Sequence, residues 1–290
     1  MDREQERISM HNQHREVALV IGSGGVKCAA ALGLRSVLEQ HDIGLSMIVG
    51  CSAGSIYAGV LAMGDRIHDA EARSKEFWTS ELMAGYTSNL RAVMRGEARF
   101  DERSGLIDDV VAMQRISSVF GETRSEDLDV PLKIVATDLH LGSTVVLSEG
   151  RLVEAVRASI AIPMIFSPWE VDGRLLVDGA VSNPLPVDVA IKDGADVILA
   201  MGFEMPTRKR MRSYSSVTAH FNTLYMNNIL KSSFSFYNLA HHAEVIPIIP
   251  RFDQDIGTFI GDDVDHIIRC GAEATQAHIG YLDRLLAVTQ

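Results

Sequence analysis

Apolar positions along the chain fall in short runs broken by glycine-rich turns. VALVI (17–21) is continuously apolar and β-branched, as expected of a strand buried on both faces of a parallel sheet. It breaks at GSGG (22–25), and a helical pattern with Leu32, Val37 and Leu38 apolar runs from about Cys28 to Gln40. MIVG (47–50) is a second buried strand, followed by CSAGS and a helix over Ala53 to Met63. Strand, glycine turn and helix, repeated, predict a parallel sheet with helical crossovers.

Residues 65–120 read as helical, with Phe77 and Trp78 as core anchors. LKIVATDL (132–139) and TVVLS (144–148) read as strands, and RLVEAVRAS (151–159) as a helix. In 169–180 the Asp172-Gly173 pair separates two apolar runs, the signature of a tight hairpin. DVILAMGF (196–203) and EVIPIIP (244–250) are further buried strands. A helix with Val217, Phe221, Leu224 and Phe234 lies between them. A terminal helix over about Asp262 to Ala287 opens with three Asp, whose charge suits a helix N-terminus better than a calcium loop. No repeat and no Pro/Gly/Ser-rich linker divides the chain. The expectation is an α/β fold in a single domain, a central, mostly parallel sheet flanked by helices in three layers. Residues 1–15 form a disordered tail and 16–290 the domain, with core motifs in 17–203 and a helical C-terminal part in 204–290.

Composition narrows the function. In 290 residues, 27 Lys and Arg face 38 Asp and Glu, a net charge of −11, which argues against a sequence-independent grip on nucleic acid. Cys28, Cys51 and Cys270 make no disulfide framework and no zinc-ligand pair. The polar first 16 residues lack the apolar core of a secretory signal, and no apolar stretch reaches the roughly 20 residues of a spanning helix. A cytoplasmic protein is expected, with room for peripheral contact at a membrane. The basic cluster Arg208-Lys209-Arg210-Met211-Arg212, next to a Phe-bearing helix, is where such contact would fall; a solvated loop before a core helix is the plainer reading.

Gly50-Cys51-Ser52-Ala53-Gly54 is a GxSxG motif between a strand and a helix, the context in which a serine is held exposed on a tight turn. One βα unit earlier stands Gly22-Ser23-Gly24-Gly25-Val26-Lys27-Cys28. It fails the dinucleotide and Walker A patterns. It fits either a plain tight turn or a loop whose backbone N–H groups face an anion. Loops on neighbouring strands would meet at the carboxyl edge of the sheet, one supplying a nucleophile and the other an oxyanion hole. None of the ten histidines sits where a Ser-His-Asp hydrolase needs one: His266 and His278 fall inside the terminal helix, and His241-His242 at a helix end. Asp178-Gly179-Ala180, read alone, is a turn after the strand LLV (175–177).

Four ordered blocks across about residues 17–203 resemble the bacterial branch of the patatin-like phospholipases. These are GSGGVKC (22–28), GCSAG (50–54), ASIAIPMIFSP (158–168) and DGA (178–180) with NPLP (183–186). The resemblance implies a lipid acyl hydrolase with a Ser-Asp dyad, Ser52 as nucleophile and Asp178 as base, which accounts for the missing histidine. It implies backbone amides around Gly24, Gly25 and Val26 as oxyanion hole, with Gly22 and Lys27 in the same loop, a lipid ester as substrate, and no metal or organic cofactor. Cys28 stands where the family's loop ends in Gly, and its Cβ is expected to restrict the approach of substrate to the backbone. The competing readings are a patatin-fold binding or regulatory protein with weak turnover, and a thioesterase or His-triad carboxylesterase.

Overall fold

The computed structural model describes residues 15–205, 207, 210–240, 243–253, 256 and 263–287. The expected N-terminal tail, Arg208, Lys209 and the His241-His242 pair lie outside the described residues, apart from Arg15. From β1 (Val17–Ile21) the chain enters a 3-10 turn (Gly25–Ala29) that continues into α1 (Ala30–Gln40). Next come β2 (Met47–Cys51) and α2 (Ala53–Ala62). α3 (Ile67–Phe77), α4 (Tyr86–Met94) and α5 (Asp109–Phe120) follow. The continuous helical run read over 65–120 is therefore interrupted. Gly96 adopts φ 73°, and the Asp101 carboxylate takes the Arg103 N–H and the Ser104 hydroxyl, so local side-chain bonds hold that stretch in turns.

β3 (Leu132–Asp138), β4 (Thr144–Leu147) and α6 (Leu152–Ser159) come next. The hairpin of β5 (Trp169–Val171) and β6 (Arg174–Asp178) turns at Asp172 and Gly173, both at positive φ, as the Asp-Gly pair predicts. A short α7 (Val187–Lys192), not evident from the sequence pattern, precedes β7 (Val197–Met201). The chain ends with α8 (Tyr214–Ala240), β8 (Glu244–Ile248) and α9 (Val264–Ala287). None of the helices described is long and apolar enough to cross a membrane.

The described strands form one eight-stranded mixed sheet, the core of a single α/β domain. β3, β2, β1, β7 and β8 run parallel in that spatial order, while β4, β5 and β6 are antiparallel additions. Alternation along β1 shows why its residues are all apolar: Val17, Leu19 and Ile21 enter one core and Ala18 and Val20 the other. α1, α2, α5 and α9 contribute to the first core, α7 and Leu230 of α8 to the second. Glu16 pins the chain entry, accepting from the Val197 N–H while its own N–H donates to Asp196 at 2.9 Å.

Registers around β3 have a consequence for the site. β2 and β4 both pair at Ile134, so they lie on opposite flanks of β3. β4 and β6 both pair at Ala136, so they too are on opposite flanks. β2 and β6 therefore share one flank and meet end to end: Cys51 lies opposite Val135, and Asp178 opposite the next residue, Ala136.

Candidate active site

Ser52 follows β2 directly and begins α2 with φ 54° and ψ −133°, a conformation that side chains other than Gly rarely adopt. Its surroundings hold it there. The Ser52 N–H donates to Ser159 Oγ at 2.8 Å, and Ser159 donates in turn to the Val135 carbonyl at 2.7 Å. The Ser52 carbonyl accepts from both the N–H and the hydroxyl of Ser55, at 2.8 and 2.6 Å. A tight turn also needs bare backbone beside it. A Cβ at Gly54 would come within 2.4 Å of the Ile21 carbonyl oxygen, which is why GxSxG ends in glycine here.

Asp178 is the last residue of β6 and is almost wholly buried. Sequence reasoning places it beyond a strand end at the carboxyl edge of the sheet. The structure corrects the route: β6 runs antiparallel to β3, and its last residue is carried toward the end of β2. The Ser52 hydroxyl donates to Asp178 Oδ2 at 2.6 Å, and the Ala180 N–H donates to Oδ1 at 2.8 Å. Burial pushes the Asp178 carboxyl up to about 6, against the two hydrogen bonds that favour the charged form. A serine hydroxyl bonded to a carboxylate of that basicity is an arrangement in which the carboxylate can take the proton at neutral pH.

The glycine-rich loop leaves β1 on the strand next to β2. The Gly22 N–H donates to the Met201 carbonyl and the Ser23 N–H to the Pro184 carbonyl, both at 2.9 Å, so NPLP fastens the loop. Gly25 has φ 60°, open to glycine at little cost. The first N–H groups of the following 3-10 turn have no partner within the helix, the ordinary condition of a helical N-terminus. Ser23, Gly24, Gly25, Ala53, Ser52 and Asp178 line one cavity of about 560 Å³.

The rest of that cavity is mainly apolar. Ile56, Phe77, Trp78 and Leu82 line it from one side, and Ile160, Ile162 and Phe166 from the ASIAIPMIFSP segment. Trp78 donates its indole N–H to the Tyr57 hydroxyl at 2.9 Å, so its polar edge is satisfied. None of the described histidines lines the cavity. Arg157, buried behind the Phe166 wall, pairs with Asp109 at 2.7 Å, stands over the Trp169 ring and donates to the Ser167 carbonyl at 2.8 Å.

Not every residue of the glycine loop faces this cavity. Lys27 is buried with its ammonium 5.7 Å from the Phe252 ring centroid, and lines a separate cavity of about 1150 Å³. Gly22 borders a small neighbouring pocket, and the Val26 side chain is in the core. Cys28 does not crowd the cavity: its side chain is buried beneath the loop and donates to the Gly22 carbonyl at 3.3 Å. Burial, with the Asp178 charge second, holds the Cys28 thiol well above its usual range, and Cys51 beside Ser52 is affected in the same way. Neither is a thiolate that would compete with Ser52. Sequence reasoning missed Ser159 as a support of the serine turn. Its only visible signal was membership of the ASIAIPMIFSP block.

Fold and site together define an α/β protein with a serine on a strained strand-to-helix turn, bonded to a buried carboxylate beside a glycine loop. The model of the patatin-like phospholipase family matches residues 19–191, and the chain belongs to that family. An uncharacterized NTE family protein of Mycobacterium tuberculosis is 30% identical over 227 residues, 77% of this chain and 58% of that protein. The patatin-like phospholipase domain-containing protein 7 of Mus musculus is 29% identical over 187 residues, 64% of this chain and 13% of that one. The chain thus spans little more than half of the mycobacterial relative and a small part of the mouse one. Among solved structures, VipD from Legionella pneumophila aligns over 96% of this chain and 67% of that one, at 14% identity and a TM-score of 0.49.

Proposed function

We propose that the protein is a serine acyl hydrolase that cleaves lipid esters through Ser52 and Asp178, without metal or organic cofactor. The observation that carries this reading is the 2.6 Å bond from the Ser52 hydroxyl to Asp178 Oδ2 within a largely apolar cavity. Asp178 takes the hydroxyl proton as Ser52 Oγ attacks the ester carbonyl. Charge develops on the carbonyl oxygen, and in this reading the backbone N–H groups around Gly24, Gly25 and Val26 donate to it; Gly24 and Gly25 line the same cavity as Ser52. Collapse of the tetrahedral intermediate expels the alcohol, which takes the proton from Asp178, and leaves an acyl ester on Ser52. Water, losing its proton to the same carboxylate, attacks that ester, and the second tetrahedral intermediate expels Ser52 Oγ, which takes the proton back from Asp178 as the fatty acid is released. The apolar walls suit an acyl chain, while Asp178 supplies the base that a histidine supplies in other serine hydrolases.

The test is a panel of phospholipid, lysophospholipid, acyl-ester and thioester substrates, with fluorophosphonate labelling in parallel. Wild-type protein should hydrolyse at least one lipid ester and be labelled at Ser52. Ser52→Ala should lose both, turnover falling by on the order of 10⁶ as when a serine hydrolase loses its nucleophile. Retention of more than about a tenth of the activity in Ser52→Ala would show that another group attacks.

A further inference from the structure

The mouth of the Ser52 cavity is ringed by apolar side chains that face solvent. Met164 (62% exposed) and Val181 (52%) line it from two segments, and Tyr225 (63%) and Ile229 line it from α8. Along α8 these two continue a stripe at four-residue spacing, Val217, Phe221, Tyr225 and Ile229, each exposed, with the Phe221 and Tyr225 rings stacked at 6.5 Å. A core helix would bury such a stripe; here it runs outward from the cavity mouth.

Charge along this helix departs from that of the whole protein. Not one of the 38 acidic residues of a chain of net charge −11 falls among the 27 residues of α8. Arg210 and Arg212, both exposed, lead into its start. An apolar stripe, free of acids, with cations at one end, matches a surface that is apolar inside and anionic outside. A groove for a neutral protein would need no such exclusion of carboxylates.

We propose that the outer face of α8 is a docking surface for an anionic lipid bilayer. Phe221 and Val217 enter the interfacial layer, Arg210 and Arg212 face the head groups, and the Ser52 cavity opens toward the membrane through Tyr225, Ile229, Met164 and Val181. Lipid would then pass from the bilayer into the cavity without crossing water. The inference goes beyond the hydrolase reading and does not require Ser52 to turn over.

The experiment measures binding of the full chain to phosphatidylcholine vesicles with and without added phosphatidylglycerol. Wild type should bind the anionic vesicles more tightly, and added salt should weaken that preference. The double variant Val217→Ser/Phe221→Ser, neither residue lining the cavity, should bind about tenfold or more weakly. It should keep the wild-type melting temperature and the wild-type rate on a short-chain soluble ester. Arg210→Ser/Arg212→Ser should lose the preference for phosphatidylglycerol. Ser52→Ala should bind vesicles as wild type does, so failure of docking and failure of hydrolysis are read separately. Wild-type protein that ignores vesicles, or binding unchanged in the Val217/Phe221 variant, would overturn the proposal. So would a wild-type dimer that the same variant dissociates, since the stripe would then be covered by a second copy.

Discussion

If Asp178 is a base kept ionised in a buried site, the fold carries a cost that Asp178→Asn should remove. Its carboxyl titrates at about 6 in the folded protein and at 3.8 when freely solvated. Below 3.8 it is protonated in both states and contributes nothing. As pH rises through this window the unfolded chain ionises first, and above about 6 the folded state bears the whole penalty. At 1.36 kcal/mol per pH unit, the difference amounts to about 3 kcal/mol. Asparagine imitates the protonated acid in size and charge. Its oxygen can accept from the Ala180 N–H while its amide donates to Ser52 Oγ, so neither partner is stranded. With an unfolding entropy of about 2.1 cal/mol/K per residue, about 3 kcal/mol raises the melting temperature of a 290-residue chain by roughly 5 °C. The assay is thermal unfolding of both proteins from pH 5 to 8.5. Asp178→Asn should melt higher at pH 8, the gap should narrow to about half by pH 5, and its ester hydrolysis should fall nearly as far as in Ser52→Ala. A variant that melts lower than wild type throughout, or by the same margin at every pH, would refute the reasoning.

Wild-type kcat/KM should climb as pH rises through about 6, because the proton acceptor must be ionised; a profile flat from pH 5 to 8 would assign the proton elsewhere. Gly25→Val places a branched side chain at φ 60° in the loop that lines the cavity, and kcat should fall by roughly 10²–10³ if the loop stabilises the oxyanion. Ser159→Ala leaves the Ser52 N–H without its acceptor, so kcat should drop by on the order of tenfold or more while KM holds, a split that general destabilisation would not produce. Asp109→Ala strands the buried Arg157 cation, and chemical denaturation should show a loss of about 3–5 kcal/mol; a change of under about 1 kcal/mol would mean that Trp169 and the Ser167 carbonyl suffice.

The elements nearest the site were legible in local pattern. β1 and β2 are continuously apolar because both faces are covered, and GSGG and the Ser52 position of GCSAG mark where each strand ends, so Ser52 and the glycine loop are expected on neighbouring strand ends. Asp172-Gly173 encodes its own hairpin through two residues tolerant of positive φ. α7 escaped notice because six residues, apolar on most sides, show no helical period. The break at 95–108 escaped because local side-chain bonds carry no periodic signal.

What no local pattern encodes is distance between segments far apart in the chain. Asp178 reaches Ser52 because β2 and β6 occupy the same flank of β3 and meet end to end, a matter of strand register settled by the packing of the whole sheet. Ser159 braces the turn across 107 residues for the same reason. Lys27 and Cys28 sit in a loop recognisable from sequence, but burial turned one toward Phe252 and the other toward the Gly22 carbonyl. The chain by itself determined which strands, turns and reactive residue types are present, since these depend on neighbours a few positions away. Only the tertiary structure decided which of those residues share a cavity, because burial and hydrogen bonding act between surfaces that the sequence keeps apart.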